Sequence, residues 1–537
     1  MRHLLLFVLL AACGDVEGSR DTSADRDADT GETVDAEPLD DAHDGAETGD
    51  FFEEVSPADV SMGDALDAGD TAEGDGVQDA TGGTDMADTG DTADAADTGV
   101  QYDGVWDLGA IRDPATADCT FGPSRTVFDD GVTLEVRLVS YLSWESIDGQ
   151  LAPIRIRGFL ARPAASPGRL PAIVLAHGLG GAAGESQATG LAALTGAVVL
   201  AYTGPGGGTS ADNTSEGRAS GYDGGLRMFD TIPDPRGSWF WGHAVAAMRA
   251  MTCLVARDDV DARRLGMTGY SAGAVATLTV AGVDDRLVAA VPLSGTLAWD
   301  VATTSPNAWQ HALLSQAGLD VTSARWDRMM ELLAPGPMLA NTSTPVLMVN
   351  GTTDEFFPVA AHVATYDALP ASRRTSLIGN YDHGCYALTG GESASTIEAR
   401  AELRARGGQR MWFAHHFGTD PRFSVLPASP TLTLTQAGPA LMVEAEVDEA
   451  PGRRIVEVEV WWSFDDGLFW SKAELQRQSA GRYGLVVAAT PAANTLAFVD
   501  VLYEAGTFGP RFSLSSTPSI PEGHVPKIRA IDSCLAP

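Results

Sequence analysis

Cysteine is scarce in this chain of 537 residues, with five in all, and positive charge falls well short of negative, at 35 Lys and Arg against 73 Asp and Glu. Five cysteines spread over such a length exclude a fold stapled together by disulfides. The net charge of -38 argues against nucleic-acid partners. Long apolar runs are also missing: after residues 4–10, none reaches the roughly 20 residues of a membrane-spanning helix. The motifs of cofactor and metal sites are absent too. Gly204-Pro205-Gly206-Gly207-Gly208-Thr209 is not followed by the Gly-Lys-Ser/Thr of a phosphate loop, and no Gly-x-Gly-x-x-Gly opens a helix. His243, His311, His362, His415 and His416 have no His-Glu-x-x-His spacing, and Thr30 stands where an EF-hand loop after Asp25, Asp27 and Asp29 needs glycine. No cofactor and no metal is expected.

The negative charge is concentrated. Residues 14–100 carry 28 Asp and Glu against two Arg, with few aromatics, so this stretch is expected to be a disordered tether extended by its own repulsion. Ahead of it, Met1-Arg2-His3 and the apolar residues 4–10 have the form of a secretory signal, and Leu10-Ala11-Ala12-Cys13 resembles the lipobox of bacterial lipoproteins. That resemblance implies cleavage before Cys13, lipidation of its side chain, and an exported protein anchored by lipid alone, facing the periplasm or the cell surface.

What is present is Gly269-Tyr270-Ser271-Ala272-Gly273, a Gly-x-Ser-x-Gly pentapeptide between a strand-like run and a helix-like one. On such a turn the serine hydroxyl stands clear of the backbone. Downstream, 345–350 reads as a buried strand with Asp354 in the loop beyond it, and 376–381 leads to His383. Loops at the carboxyl ends of parallel strands share one edge of an open sheet, so Ser271, Asp354 and His383 are expected to meet there. Asp354 has two neighbouring rivals, Glu355 and Asp382.

With nucleophile, acid and histidine in that order, the sequence resembles the α/β-hydrolase superfamily, in particular its dienelactone hydrolase, acetylxylan esterase and prolyl oligopeptidase-like branch, over roughly residues 131–418. Strand-like runs at 132–142, 154–161, 170–176, 197–202, 264–270, 287–293, 345–350 and 376–381 fit its eight-stranded, mainly parallel, doubly wound α/β sheet. The resemblance implies that His383 takes the Ser271 proton, that Asp354 orients the imidazole, and that an acyl-enzyme forms on Ser271. It places the oxyanion hole at the backbone amides of Ala272 and of Leu179, in the loop Ala176-His177-Gly178-Leu179-Gly180-Gly181, with His177 shaping that loop.

The expected organisation is a signal peptide at 1–12, a tether at 13–100, a catalytic domain at 101–420 with a cap at 296–343, and an Ig-like β-sandwich at 421–537. In the sandwich strand around 455–462, alternation assigns Trp462 to the core and Trp461 to the open face. Of Cys119, Cys253, Cys385 and Cys534, a Cys119–Cys534 bridge is expected to fasten the two ends of the folded part. Cys385 lies close to His383 but lacks the turn a nucleophile needs.

The activity implied is that of a serine carboxylic ester hydrolase acting on a small ester or an acylated polymer, with no nucleic-acid partner and an oligomeric state the sequence leaves open. A prolyl oligopeptidase-like peptidase and a non-catalytic surface binding protein are the two alternatives. The first lacks a segment long enough for that family's propeller.

Overall fold

The structure, a computed structural model, describes residues 104–220, 227–340, 342–370, 372–383, 392–449, 451–487 and 494–528. The expected signal peptide, Cys13, the acidic tether, Cys385 and Cys534 lie outside them.

Alternating apolar residues build two long strands, β1 (Val132–Ile147) and β2 (Gln150–Pro163), paired antiparallel from Leu134↔Pro163 to Ile147↔Gln150. Short apolar runs follow: β3 (Leu170–Ala176), β4 (Val198–Tyr202), β5 (Val260–Tyr270), β6 (Leu287–Leu293), β7 (Val346–Gly351) and β8 (Arg373–Ile378). These six are mutually parallel, and the order across the sheet is β1-β2-β4-β3-β5-β6-β7-β8. Burial on both faces explains the unbroken hydrophobicity of β3, β4 and β6, whereas β5 and β8 carry charged residues in their first halves. Ala172 and Val174 of β3 join one core and Ile173 the other.

Helices separate these strands. α1 (Glu185–Thr195) precedes β4, α2 (Trp239–Val255) precedes β5, and α3 (Ala272–Val283) precedes β6. Between β6 and β7 the expected cap consists of short helices, including α4 (Trp309–Gln316) and α5 (Ala324–Leu333). Its Trp299, Trp309, Trp326 and Met329 are buried in the main core, so they form packing rather than an exposed apolar face. α6 (Val359–Ala368) links β7 to β8, and α7 (Ala394–Phe417) follows β8. The cores place α2 and α3 on one face of the sheet and α1 and α7 on the other. Among the described residues no helix is long and apolar enough to cross a membrane.

Beyond α7 come β9 (Thr431–Ala437), β10 (Ala440–Glu446), β11 (Arg453–Ser463), β12 (Ser471–Glu474), β13 (Gln476–Ser479), β14 (Arg482–Val487), β15 (Leu496–Ala505) and β16 (Arg511–Ser515). They do not form two sheets apart from the catalytic one. β16 pairs antiparallel with β8 at Thr375↔Ser515, and β15, β11 and β12 continue from it. With two short strands, Thr120–Phe121 and Arg125–Asp129, beside β1, the mixed sheet has fourteen strands among the described residues, against the eight expected. Among the described residues, β9, β10, β14 and β13 make a second sheet, of four strands.

This continuity overturns the open-face expectation for Trp461, while Trp462 packs, partly buried, against the second core. Trp461 is 1% exposed and Trp462 only half-buried. Because β11 extends the central sheet, its Trp461 face is covered by Leu377, Trp470 and Phe498, with the Arg400 guanidinium of α7 4.8 Å from the Trp461 ring. A buried pair ties α7 to β15: Arg404 bonds Asp500, which also accepts from the hydroxyls of Ser513 at 2.9 Å and Ser515 at 2.7 Å.

The Cys119–Cys534 expectation is also corrected, because Cys119 is bonded to Cys253 on α2. The segment before β1 lies along that helix. Trp106 stacks on Trp241, Arg249 donates to the carbonyls of Ala110, Ile111 and Asp113, and the Thr252 hydroxyl donates to Ile111. That contact brings the α2 cysteine to Cys119.

Candidate active site

Ser271 stands between β5 and α3 with φ 58° and ψ -120°, a strained conformation that costs about 1–3 kcal/mol and must be held by its surroundings. The flanking glycines hold it. A Cβ on Gly273 would lie 2.4 Å from the Ala176 carbonyl, and one on Gly269 2.5 Å from the Gly273 carbonyl, so neither position admits a side chain. The Ser271 amide donates to Leu293 of β6 at 3.0 Å.

The structure brings the three sequence-predicted side chains together. His383 Nε2 is 2.9 Å from Ser271 Oγ, and His383 Nδ1 is 3.1 and 3.0 Å from the two Asp354 oxygens. Asp354 Oδ1 also accepts from the amides of Phe356 at 3.0 Å and Phe357 at 2.8 Å, which fixes the carboxylate. All three residues are buried. Burial of the His383 ring opposes its charged form. The Asp354 carboxylate, aided by Glu355 and Asp382, outweighs that, and the pKa is raised.

Glu355, a rival to Asp354 in the sequence, addresses the backbone of the histidine: its Oε2 accepts from the His383 amide at 3.0 Å. Burial first, then the Asp354 charge, pushes its carboxyl up to about 7. Three aromatic neighbours that sequence reasoning did not single out frame the imidazole. Tyr270 lies against the ring with centroids 5.0 Å apart and donates its hydroxyl to the His383 carbonyl at 2.9 Å. Phe356 and Phe357 have centroids 4.4 and 5.4 Å from it. The available signals were adjacency to Ser271 and to Asp354. Trp309 of α4 stacks on Phe356 at 4.7 Å, connecting that helix to the site.

The loop expected to supply the oxyanion hole runs beside the nucleophile, since a Cβ on Gly178 would sit 3.3 Å from Ser271 Cβ. Among the described residues, the amides of Leu179 and Ala272 make no hydrogen bond to other backbone. His177 is locked in that loop. Its Nε2 accepts the Gly204 amide at 2.7 Å, so its Nδ1 carries the proton and donates to the Gly178 carbonyl at 2.6 Å. Burial, partly offset by that carbonyl, pushes its pKa down to about 4, and the ring is neutral at neutral pH.

Elsewhere the histidines make structural bonds: His362 to the Thr375 hydroxyl, His311 to the Thr303 carbonyl and His415 to the Phe423 carbonyl. Trp239 and Trp241 are buried, the first stacked on His243. Among the described residues no group of three or more His, Cys, Asp or Glu is arranged to hold a metal ion.

Residues 139–389 match the family Acetyl xylan esterase (AXE1). The match supports a carboxylic ester hydrolase. No curated protein sequence matches the chain. Among solved structures, the chain is similar to an acetyl xylan esterase from Paenibacillus sp. R4, at 20% identity and TM-score 0.42, covering 56% of this chain and 90% of that one. It is similar also to acetyl xylan esterase 1 from Thermoanaerobacterium sp. JW/SL YS485, at 18% identity and TM-score 0.41, covering 56% and 93%. A prolyl endopeptidase structure is similar at 17% identity and TM-score 0.37, covering 56% of this chain and 39% of that one.

Proposed function

We propose that this chain is a serine carboxylic ester hydrolase that removes small acyl groups, acetyl above all, from an acylated polymer outside the cytoplasm. The carrying observation is the His383 imidazole bridging Ser271 Oγ at 2.9 Å and the Asp354 carboxylate at 3.0 Å. Neutral His383 takes the Ser271 proton on Nε2 as Oγ attacks the ester carbonyl, and Asp354 holds the tautomer and stabilises the imidazolium. The amides of Ala272 and Leu179 receive the oxyanion, each donor contributing about 3–4 kcal/mol to the transition state. His383 returns the proton to the leaving alcohol. Water, deprotonated by the same nitrogen, then cleaves the acyl-enzyme and releases acid and free Ser271.

The acetyl preference draws on the family matched by residues 139–389. Export and lipidation at Cys13 draw on the N-terminal sequence alone. Wild-type and Ser271→Ala proteins should be assayed with a fluorophosphonate probe, p-nitrophenyl esters of increasing acyl length, acetylated xylan and a peptide panel. Labelling and acetyl-ester hydrolysis by the wild type alone are expected. Peptide hydrolysis without ester hydrolysis, or an inert wild type, would defeat the proposal.

A further inference from the structure

The geometry points to Asn380 as a positioning residue for His383, through which strands beyond the family-matched segment become part of the catalytic apparatus. The inference rests on the esterase reading. The loop carrying His383 leaves β8 at Ile378 and turns through Asn380, whose φ of 55° suits Asn among non-glycine residues. The Asn380 amide donates to Thr352 Oγ1 at 2.9 Å, joining this loop to the one that bears Asp354. Its side chain reaches the opposite way. Nδ2 donates to the Trp470 carbonyl at 2.8 Å, with a weaker contact to Glu392 at 3.3 Å, and Oδ1 accepts from the Trp470 amide at 2.8 Å. Asn380 thus closes a two-bond clamp on one residue's backbone, in a place from which water is excluded at both partners.

The other half of the clamp is rigid. Trp470 is 1% exposed, its ring packs edge-on to Phe498 at 5.3 Å, and its Nε1 donates to the Gly467 carbonyl at 3.2 Å. The residue before Asn380 is held from the same side. A Cβ on Gly379 would fall 2.3 Å from the Trp461 ring, so glycine alone lets the loop rest on that tryptophan, and Arg400 donates to the Gly379 carbonyl at 2.7 Å. Trp461 and Trp470 both lie beyond residue 389, where the family match ends. A shallow recess is lined on one side by Thr352, Thr353 and Asp354 and on the other by Gly467, Leu468 and Pro526 from the same region.

His383 itself is held by Glu355 and Tyr270, whereas the base of its loop is held by the C-terminal strands. With contacts of 2.9 and 3.0 Å on the two ring nitrogens, releasing the base displaces the imidazole from both partners at once. A displacement near 1 Å costs about a hundredfold in rate.

Asn380→Gly keeps the backbone conformation and removes both clamp bonds, and Asn380→Asp keeps the acceptor and loses the donor. On p-nitrophenyl acetate, with active sites titrated by the fluorophosphonate, the glycine variant is expected to lose about ten- to a hundredfold in kcat with KM within about twofold, and the aspartate variant to recover part of the loss. The acid limb of the pH profile should move to lower pH, because His383 leaves Asp354. Wild-type kcat per titrated site with an unmoved acid limb overturns the inference, as does a loss that follows only the fraction of folded protein. If the glycine variant does not fold, a fully active aspartate variant with an unmoved limb overturns it equally. A wild type inert to probe and esters would instead defeat the esterase reading, before any variant is compared.

Discussion

His383 Nε2 and Ser271 Oγ stand 2.9 Å apart, although 112 residues separate them in the chain. In the proposed mechanism this contact activates the nucleophile and Asp354 supports it from the other ring nitrogen. Ser271→Ala is expected to abolish fluorophosphonate labelling and to lower kcat by at least about 10⁴-fold with little change in substrate binding. Asp354→Asn, which stabilises the wrong imidazole tautomer, is expected to cost about 10⁴-fold in kcat. Steady-state kinetics on p-nitrophenyl acetate check both.

The carboxylates around His383 give a pH signature. The pKa of His383 is raised, so kcat/KM should fall as pH drops through a midpoint above the ordinary histidine value of 6.5. Glu355, pushed up to about 7, titrates in the same range, so the limb should be broader than a single ionisation. Glu355→Gln removes one of the charges that raise His383 while keeping an acceptor for its amide, so the limb should shift to lower pH with the plateau little changed. A pH profile of the two proteins decides.

Glu355 also bears on stability, with a sign fixed by its shift. Burial raises the folded pKa above the unfolded value near 4.5, so its contribution is fully present below that value and is lost as pH rises through about 7. Glu355→Gln is expected to flatten this loss. Melting temperatures across the range should converge at low pH and favour the variant at high pH.

Non-reducing peptide mapping should recover the Cys119 peptide joined to that of Cys253. The bridge closes a loop with a sequence separation of 134, for which chain entropy gives a stabilisation of about 4–5 kcal/mol. Replacing both cysteines by serine should lower the unfolding midpoint accordingly.

Asp500→Ala leaves the Arg404 guanidinium, 6% exposed, without its carboxylate. The expected cost is about 3–5 kcal/mol. Urea denaturation measures it, and a loss under about 1 kcal/mol would mean that solvent or another group compensates the charge.

Much of this arrangement was legible in residue order alone. Strands buried on both faces of a parallel sheet are rich in apolar residues, and the runs at 170–176, 197–202, 287–293 and 345–350 carry that mark, while alternation marks the antiparallel pair before them. Ser271, Asp354 and His383 were recognisable because each follows a strand-like run. The C-terminal strands were harder to read. Their alternation gives the period of a sheet but not which sheet they join, and the single pairing of Thr375 with Ser515 leaves no pattern in the sequence. Trp461 was assigned to the open face for that reason. Cys119 and Cys253 could not be paired without knowing that the segment before β1 lies along α2. Asn380 carried no signal either, since its partner is the backbone of Trp470, which any residue supplies.

The Thr375–Ser515 junction also settles where the sheet ends. Without it, β8 would present a row of unpaired amides and carbonyls beside the His383 loop, a template for pairing with another chain. β16 meets that edge at Thr375, and the free edge passes outward to β12, four residues long, with Lys472 and Glu474 exposed. At the opposite end, the two-residue strand Thr120–Phe121 plays the same part. Short, charged or abbreviated margins of this kind resist edge-to-edge aggregation, so the strands that brace the histidine loop also guard the sheet against self-association.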